Sequence, residues 1–241
     1  MDGIGRVIQV KKPGSLFKGQ NQVDEIKMII SGKIIYDAFG RAIENYYPTT
    51  ETLGANNYKL SAVSGSMQET MTHDVKDRLL STLFSDGTQT KTAYAATGGQ
   101  LSILNEDANK NKIEMLTDLR GNRNALNQFG GPNGIITTKY FYNPLSELTR
   151  IIDNAGNTIS NKYDNLGRKI SIHHPDAGLI EFAYDLAGNL VEKITAQIRK
   201  EIPIGGAIKY QYEFERLIGI DYPLQYQNKV TYKYGAPGTG S

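Results

Sequence analysis

The chain has 241 residues, 39% hydrophobic and 22% charged, with a formal charge of +2 from 27 basic and 25 acidic side chains. That balance excludes a disordered polyelectrolyte and gives no electrostatic reason to expect nucleic acid or anionic lipid as a partner. No run approaches the roughly 18 uninterrupted apolar residues of a spanning helix, and the absence of cysteine rules out disulfides, thiolate metal sites and a cysteine nucleophile.

From the N-terminus, "MDGIGRVIQVKKPGS" has no apolar core of the kind a signal peptide needs, and it contains the first copy of a short motif, "DGIGR" (2–6). Residues 11–22 are polar and carry Pro13 and Gly14, which predicts a loop; Lys11-Lys12, like Arg199-Lys200 later, reads as solvated loop charge. "VDEIKMII" (23–30) reads as a strand. The motif returns as "DAFGR" (37–41), and residues 46–70, rich in Gly, Ser, Thr and Asn, predict a second long loop or insertion. Weaker copies are "DVKDR" (74–78), with Asp77 in the glycine position, and "NPLSE" (143–147), with Ser146 there. Full copies follow as "DLRGN" (118–122), "DNAGN" (153–157), "DNLGR" (164–168) and "DLAGN" (185–189). Between them hydrophobic residues alternate, as in Ile170 and Ile172, then Ile180, Phe182 and Tyr184 beyond the "HPDAG" turn. Period-two runs of five to seven residues with a turn about every ten predict antiparallel hairpins. No stretch shows convincing helical periodicity; "AQIRKEIPIGG" (196–206) reads as a short insertion and "GAPGTGS" (235–241) as a linker-like tail.

Asp at position i and Gly at i+3 suit a type I turn: the carboxylate caps amides two or more residues on, and glycine takes the left-handed conformation that re-enters the next strand. The predicted turn residues are therefore Asp37 and Gly40, Asp118 and Gly121, Asp153 and Gly156, Asp164 and Gly167, and Asp185 and Gly188. Tyr163 and Tyr184 precede their aspartates directly and stand 21 residues apart, as do Tyr142 and Tyr163; His73 stands where tyrosine would. A 21-residue unit is two strands and two turns.

With Tyr-Asp-x-x-Gly-[Arg/Asn] recurring at this interval, the sequence resembles the RHS/YD-repeat family, including its insecticidal toxin-complex members. The resemblance implies an all-β fold: repeated antiparallel hairpins in an extended, curved sheet that forms part of a spiral shell. It treats residues 1–241 as one repeat region. It also implies a structural, non-enzymatic role in wrapping or presenting a toxic polypeptide, with other segments of the same shell and the enclosed polypeptide as partners. A secreted or cell-surface location follows from the same resemblance, and a surface module binding carbohydrate or a receptor is the alternative. The aspartate motif of the family's self-cleavage region has no counterpart, because the chain contains no Asp-Pro dipeptide.

The residues offer little for catalysis or cofactors. "DANKNKIEMLTD" (107–118) places Asp107, Asn109 and Asn111 at alternate positions, but Lys112 and Asp118 stand where a calcium loop needs Gly and bidentate Glu. Adjacent His173 and His174 point to opposite faces of a strand. "SGKII" (31–35) lacks the rest of a phosphate loop. No metal and no cofactor is expected. The tyrosines read as cross-strand packing, the alternative being a platform for sugars or a guest chain.

Overall fold

The computed structural model describes residues 1–20, 23–54, 67–131 and 134–235. It is 53% strand and 4% helix, built of antiparallel hairpins. Two compact units are distinguished, Met1–Met115 with Gln128–Ile135 and Leu116–Asn127 with Ile136–Ser241.

In the first unit, strands Lys11–Leu16, Glu25–Ile30 and Thr49–Glu51 form a small sheet with Glu25–Ile30 in the centre. Its alternate residues Met28 and Ile30 are buried. The loop expected at 11–22 is thus corrected in its first half. Pro13 is tolerated because Lys11–Leu16 is an edge strand, while residues 21–22 lie outside the described residues. The expected loop 46–70 is likewise flanked inside its bounds by strand, Thr49–Glu51 and the start of Gln68–His73; residues 55–66 lie outside the described residues. Strands Ile34–Tyr36, Ala42–Tyr46, Gln68–His73, Leu79–Leu83, Gln89–Thr97 and Gln100–Glu106 then pair each with the next.

In the second unit the meander runs through Leu148–Ile152, Thr158–Tyr163, Lys169–His174, Gly178–Tyr184, Leu190–Ile194, Ile208–Glu213, Arg216–Asp221 and Val230–Thr231. Directly paired residues share a face, so Tyr140, Ile151 and Ile159 form one apolar row, and Asn161, Ile172 and Ile180 a second on the same face. The other face is mixed, carrying Arg150, Ser160, Ser171, His173 and Glu181 together with Phe141, Leu179 and Ile194. Asn161, buried among isoleucines, donates its Nδ2 to the Leu148 carbonyl at 2.9 Å, so its burial carries no unpaired amide.

The short insertion expected at 196–206 contains helix Ala196–Glu201. Thr195 caps it, its hydroxyl accepting from the Ile198 amide at 3.3 Å, and Arg199 and Lys200 suit its C-terminal dipole. Its six residues are too few for a 3.6 period to show. Residues 236–241 of the expected tail lie outside the described residues.

The core is minimal. Among the described residues the buried hydrophobic side chains are Met28, Ile30, Ile198 and Ala207, and those of the second unit come from the helical connection, not from its sheet. With so few side chains fully buried, ladder hydrogen bonds and cross-strand pairs carry much of the stability of each unit.

Candidate functional site

The turns are the most elaborated feature. At ten positions among the described residues (2, 37, 74, 84, 107, 118, 143, 153, 164 and 185) the same backbone pair recurs, the amide of i donating to the carbonyl of i+4 and the amide of i+3 to the carbonyl of i. This is a type I turn followed by a left-handed residue, with a strand bulge beside it at Tyr163 and Tyr184. The left-handed position is Gly40 (φ 87°), Gly121 (87°), Gly156 (89°), Gly167 (77°) and Gly188 (93°).

Each aspartate holds its turn with both oxygens. Oδ1 of Asp164 accepts the Leu166 and Arg168 amides at 2.9 and 3.0 Å, and Oδ2 accepts Arg168 Nε at 2.7 Å. Asp37 does the same with the amides of Phe39 and Arg41 and with Arg41 Nε. Where asparagine stands at i+4, its Nδ2 replaces the guanidinium: Asn122 to Asp118 at 3.0 Å, Asn157 to Asp153 at 2.8 Å and Asn189 to Asp185 at 3.0 Å. This explains the Arg/Asn at the fifth motif position, where only a donor of the right reach serves. The copy at 143–147 keeps the bond with its polarity reversed, Asn143 Nδ2 donating to Glu147 Oε2 at 2.5 Å.

Arg78 holds the Asp74 carboxyl down to about 2, chiefly through its side-chain hydrogen bond. The side chains of Asn157 and Asn189 are the leading cause of the lowered values of Asp153 and Asp185, which backbone donors reinforce against burial. Carboxylates so held stay ionised at neutral pH with their lone pairs committed, a poor state for general acid–base work.

Neighbouring turns on one edge are also tied to each other. Arg168 Nη1 reaches the Asp185 carbonyl at 2.9 Å while its guanidinium lies 4.9 Å from the Tyr184 ring. Arg41 Nη1 reaches the Asp74 carbonyl at 2.8 Å, Arg120 Nη1 the Pro144 carbonyl at 3.0 Å, and Asn122 Nδ2 the Ser146 hydroxyl at 3.1 Å. The tyrosines close the repeat: Tyr163 donates its hydroxyl to the Leu148 carbonyl and Tyr184 to that of Lys169, both at 2.9 Å and both 15 residues back. His73, in the tyrosine position, has its Nδ1 buried without a partner among the described residues, beside a hollow of about 510 Å³ lined by Phe39, Arg41, Asp74, Val75 and Asp77. Arg41 is already engaged by Asp37, the Asp74 carbonyl and Asp77, so the hollow offers no free cation.

Residues 107–111 form one of the ten turns: Asp107 accepts the amides of Asn109 and Asn111 and Asn111 Nδ2, oxygens a calcium ion would need. Lys110 takes the glycine position at φ 68°. Lys110→Gly is expected to stabilise the protein by about 1 kcal/mol, because a side chain in the left-handed region costs roughly that much. The Lys110–Glu106 ion pair lost in exchange, its lysine exposed and Glu106 also held by Lys112, is worth less. A thermal melt checks this, and a lower Tm for the variant counts against it.

The arrangement defines a class: a hairpin-repeat sheet whose turns are braced internally and to one another along an edge. Solved structures share the fold. The chain is similar to the crystal structure of TcdB2-TccC3-TEV over 95% of its length, at TM-score 0.67 and 19% identity. It is similar to the Photorhabdus luminescens Tc holotoxin pore over 98%, at 0.66 and 19%. These are RHS-repeat toxin-complex proteins, so the all-β repeat fold implied by the Tyr-Asp turns is the fold observed. The chain spans 12% of each of those two chains. No protein-family model and no curated protein matches the sequence.

Proposed function

We propose that this chain is a wall segment that wraps or presents another polypeptide and performs no catalysis itself. Its partners are then other segments of the same shell and the enclosed polypeptide, in a protein exported or displayed at the cell surface. The observation that carries this reading is the second unit's sheet, apolar on one face, with no hydrophobic side chain of that face buried. Such a face gains free energy by covering a chain that exposes its own apolar groups. The braced turns and the paired carboxylates supply rigidity.

The alternative, carbohydrate binding, has weaker support. Tyr163 and Tyr184 spend their hydroxyls on backbone carbonyls, and Tyr36, Tyr94 and Tyr184 have arginine over a ring face that a sugar would stack on.

The test is fluorescence anisotropy with a labelled polypeptide that cannot fold, reduced and carboxymethylated lactalbumin. Saturable binding is expected, weakened at least tenfold by Ile172→Lys on the apolar face and little changed by Ser171→Lys on the other. Circular dichroism confirms that both variants fold. No binding of the unfolded chain, together with saturable binding on a glycan panel, overturns the proposal in favour of the alternative.

A further inference from the structure

The two edges of the second unit's meander differ in what their turns display. On the edge of the Tyr-Asp turns, Leu119, Leu145, Leu166 and Leu186 sit at the second or third turn position, and Phe214 occupies the tight turn between Ile208–Glu213 and Arg216–Asp221. Every one is at least 74% exposed. Five successive connections on that edge thus each hold one large apolar side chain out to solvent. The opposite edge shows Asn154 and Ala155 in one turn and Pro175, Asp176 and Ala177 in the next; the large exposed hydrophobics of its connections among the described residues are Ile204, after the helix, and Leu224, only 37% exposed. Turn geometry does not require leucine at these positions, since Asn154, Ala155, Ala108 and Asn109 occupy the same places in turns with the same backbone bonds. In the first unit the turns at 2–6, 37–41 and 74–78 display Ile4, Phe39 and Val75 in the same way.

We infer that this ridge of turn tips is a docking surface for a second row of the same kind, met in solution as a second copy of this chain. Pitch decides the occupant. Same-edge turns are two strands apart, about 9.5 Å, which leaves between neighbouring tips a gap about one leucine wide. A second identical row, shifted by half a pitch, fills those gaps at every position. A helix offers matching side chains every seven residues, about 10.5 Å, and falls out of step by about 4 Å across the row. An extended chain, at roughly 6.8 Å between same-face residues, misses the gaps sooner. Taking roughly 140 Å² per tip, the row presents on the order of 700 Å² per partner, near the size of a specific interface and above what a monomer ordinarily leaves bare. The turns of the row carry three arginines, Arg120, Arg168 and Arg216, against six carboxylates, Asp118, Glu147, Asp164, Asp185, Glu213 and Glu215. Two rows therefore repel mildly, and salt should strengthen the pairing.

The inference rests on the turns and not on the wrapping role, and its test is separate. Sedimentation velocity on the full chain between micromolar and several hundred micromolar is expected to show reversible dimerisation that strengthens with sodium chloride. Leu145→Ser, Leu166→Ser and Leu186→Ser combined should weaken it at least tenfold while leaving the circular dichroism spectrum and lactalbumin binding unchanged. Ile204→Ser on the opposite edge should leave dimerisation as it was. Because the chain has no cysteine, Leu166→Cys alone should yield a covalent dimer with a short bismaleimide, where Ala155→Cys should not. A monomer at every concentration, association untouched by the triple substitution and so running through the free strand edges, or equal cross-linking from both edges would overturn the inference.

Discussion

Gly32→Ala is expected to disrupt the N-terminal sheet of the first unit, at a cost above roughly 3 kcal/mol. Gly32 holds φ at +88°, and a Cβ there would land on the Tyr46 carbonyl oxygen, with the Tyr46 and Tyr47 carbonyl carbons 2.9 and 3.3 Å away. These are backbone atoms and cannot rotate aside as a side chain would. The surrounding segment is tightly bound: the Ser31 amide donates to the Val10 carbonyl at 2.8 Å, Ile34 to Ile8 at 3.0 Å, and Tyr46 to Lys33 at 2.9 Å. Making room for one methyl group therefore strains the joint between the sheet of Met28 and Ile30 and the meander that follows. Gly188→Ala is the control, with φ at +93° but nothing within 4 Å of the new carbon. It should cost only the left-handed penalty, about 1–2 kcal/mol. Urea denaturation of both variants, with hydrogen exchange at Glu25–Ile30, separates the two terms. Equal losses for the two glycines would show that the close approach to Tyr46 carries no energy.

That joint was not legible in the sequence, where "SGKII" drew notice only as a poor phosphate loop. The reason Gly32 must be glycine lies 14 residues away, in a carbonyl whose position depends on the fold. The Asp-x-x-Gly turns were legible because their chemistry is local: carboxylate, capped amides and left-handed residue all fall within five positions. The turn at 107–111 is hidden in the sequence because Lys110 fills the glycine position, so the motif's most recognisable letter is missing there. Strand Lys11–Leu16 escaped because Pro13 and Gly14 obscure it, and only pairing with Glu25–Ile30 makes it a strand. The motif's Arg or Asn could be seen but not understood until Arg168 was found joining Asp164, Tyr184 and the Asp185 carbonyl. Likewise the exposed leucines were in view as letters, but which turns share an edge emerges only once the hairpins are closed.

The second large effect is acid unfolding. Eight turn aspartates, Asp2, Asp37, Asp74, Asp107, Asp118, Asp153, Asp164 and Asp185, have their carboxyls held below the ordinary value near 3.8. At Asp74 the Arg78 side chain is the leading cause, and at Asp107 the Asn111 side chain. At Asp164 burial pushes upward most strongly, but the backbone and side-chain bonds from Arg168, the Leu166 amide and the Arg168 charge together outweigh it. A carboxyl depressed in the folded state binds its proton more readily when unfolded, so it contributes stability above the unfolded value and loses it as pH falls through the folded one. For Asp74 that window runs from about 4 down to about 2. The urea midpoint, followed by circular dichroism, should therefore hold steady from pH 7 to 5 and fall steeply below 4. Asp74→Asn should lower the midpoint at pH 7 and, near pH 3, reduce the proton uptake on unfolding by nearly one. The fall should be cooperative, because the aspartates bind the same arginines and asparagines that brace one turn against the next, as Arg41 spans Asp37 and Asp74. Protonating one carboxyl frees its partner from two turns, weakening the hold on the neighbouring carboxyl. A midpoint that stays flat from pH 5 to 2.5 would mean that the backbone ladders alone hold the turns and the carboxylates add nothing to them.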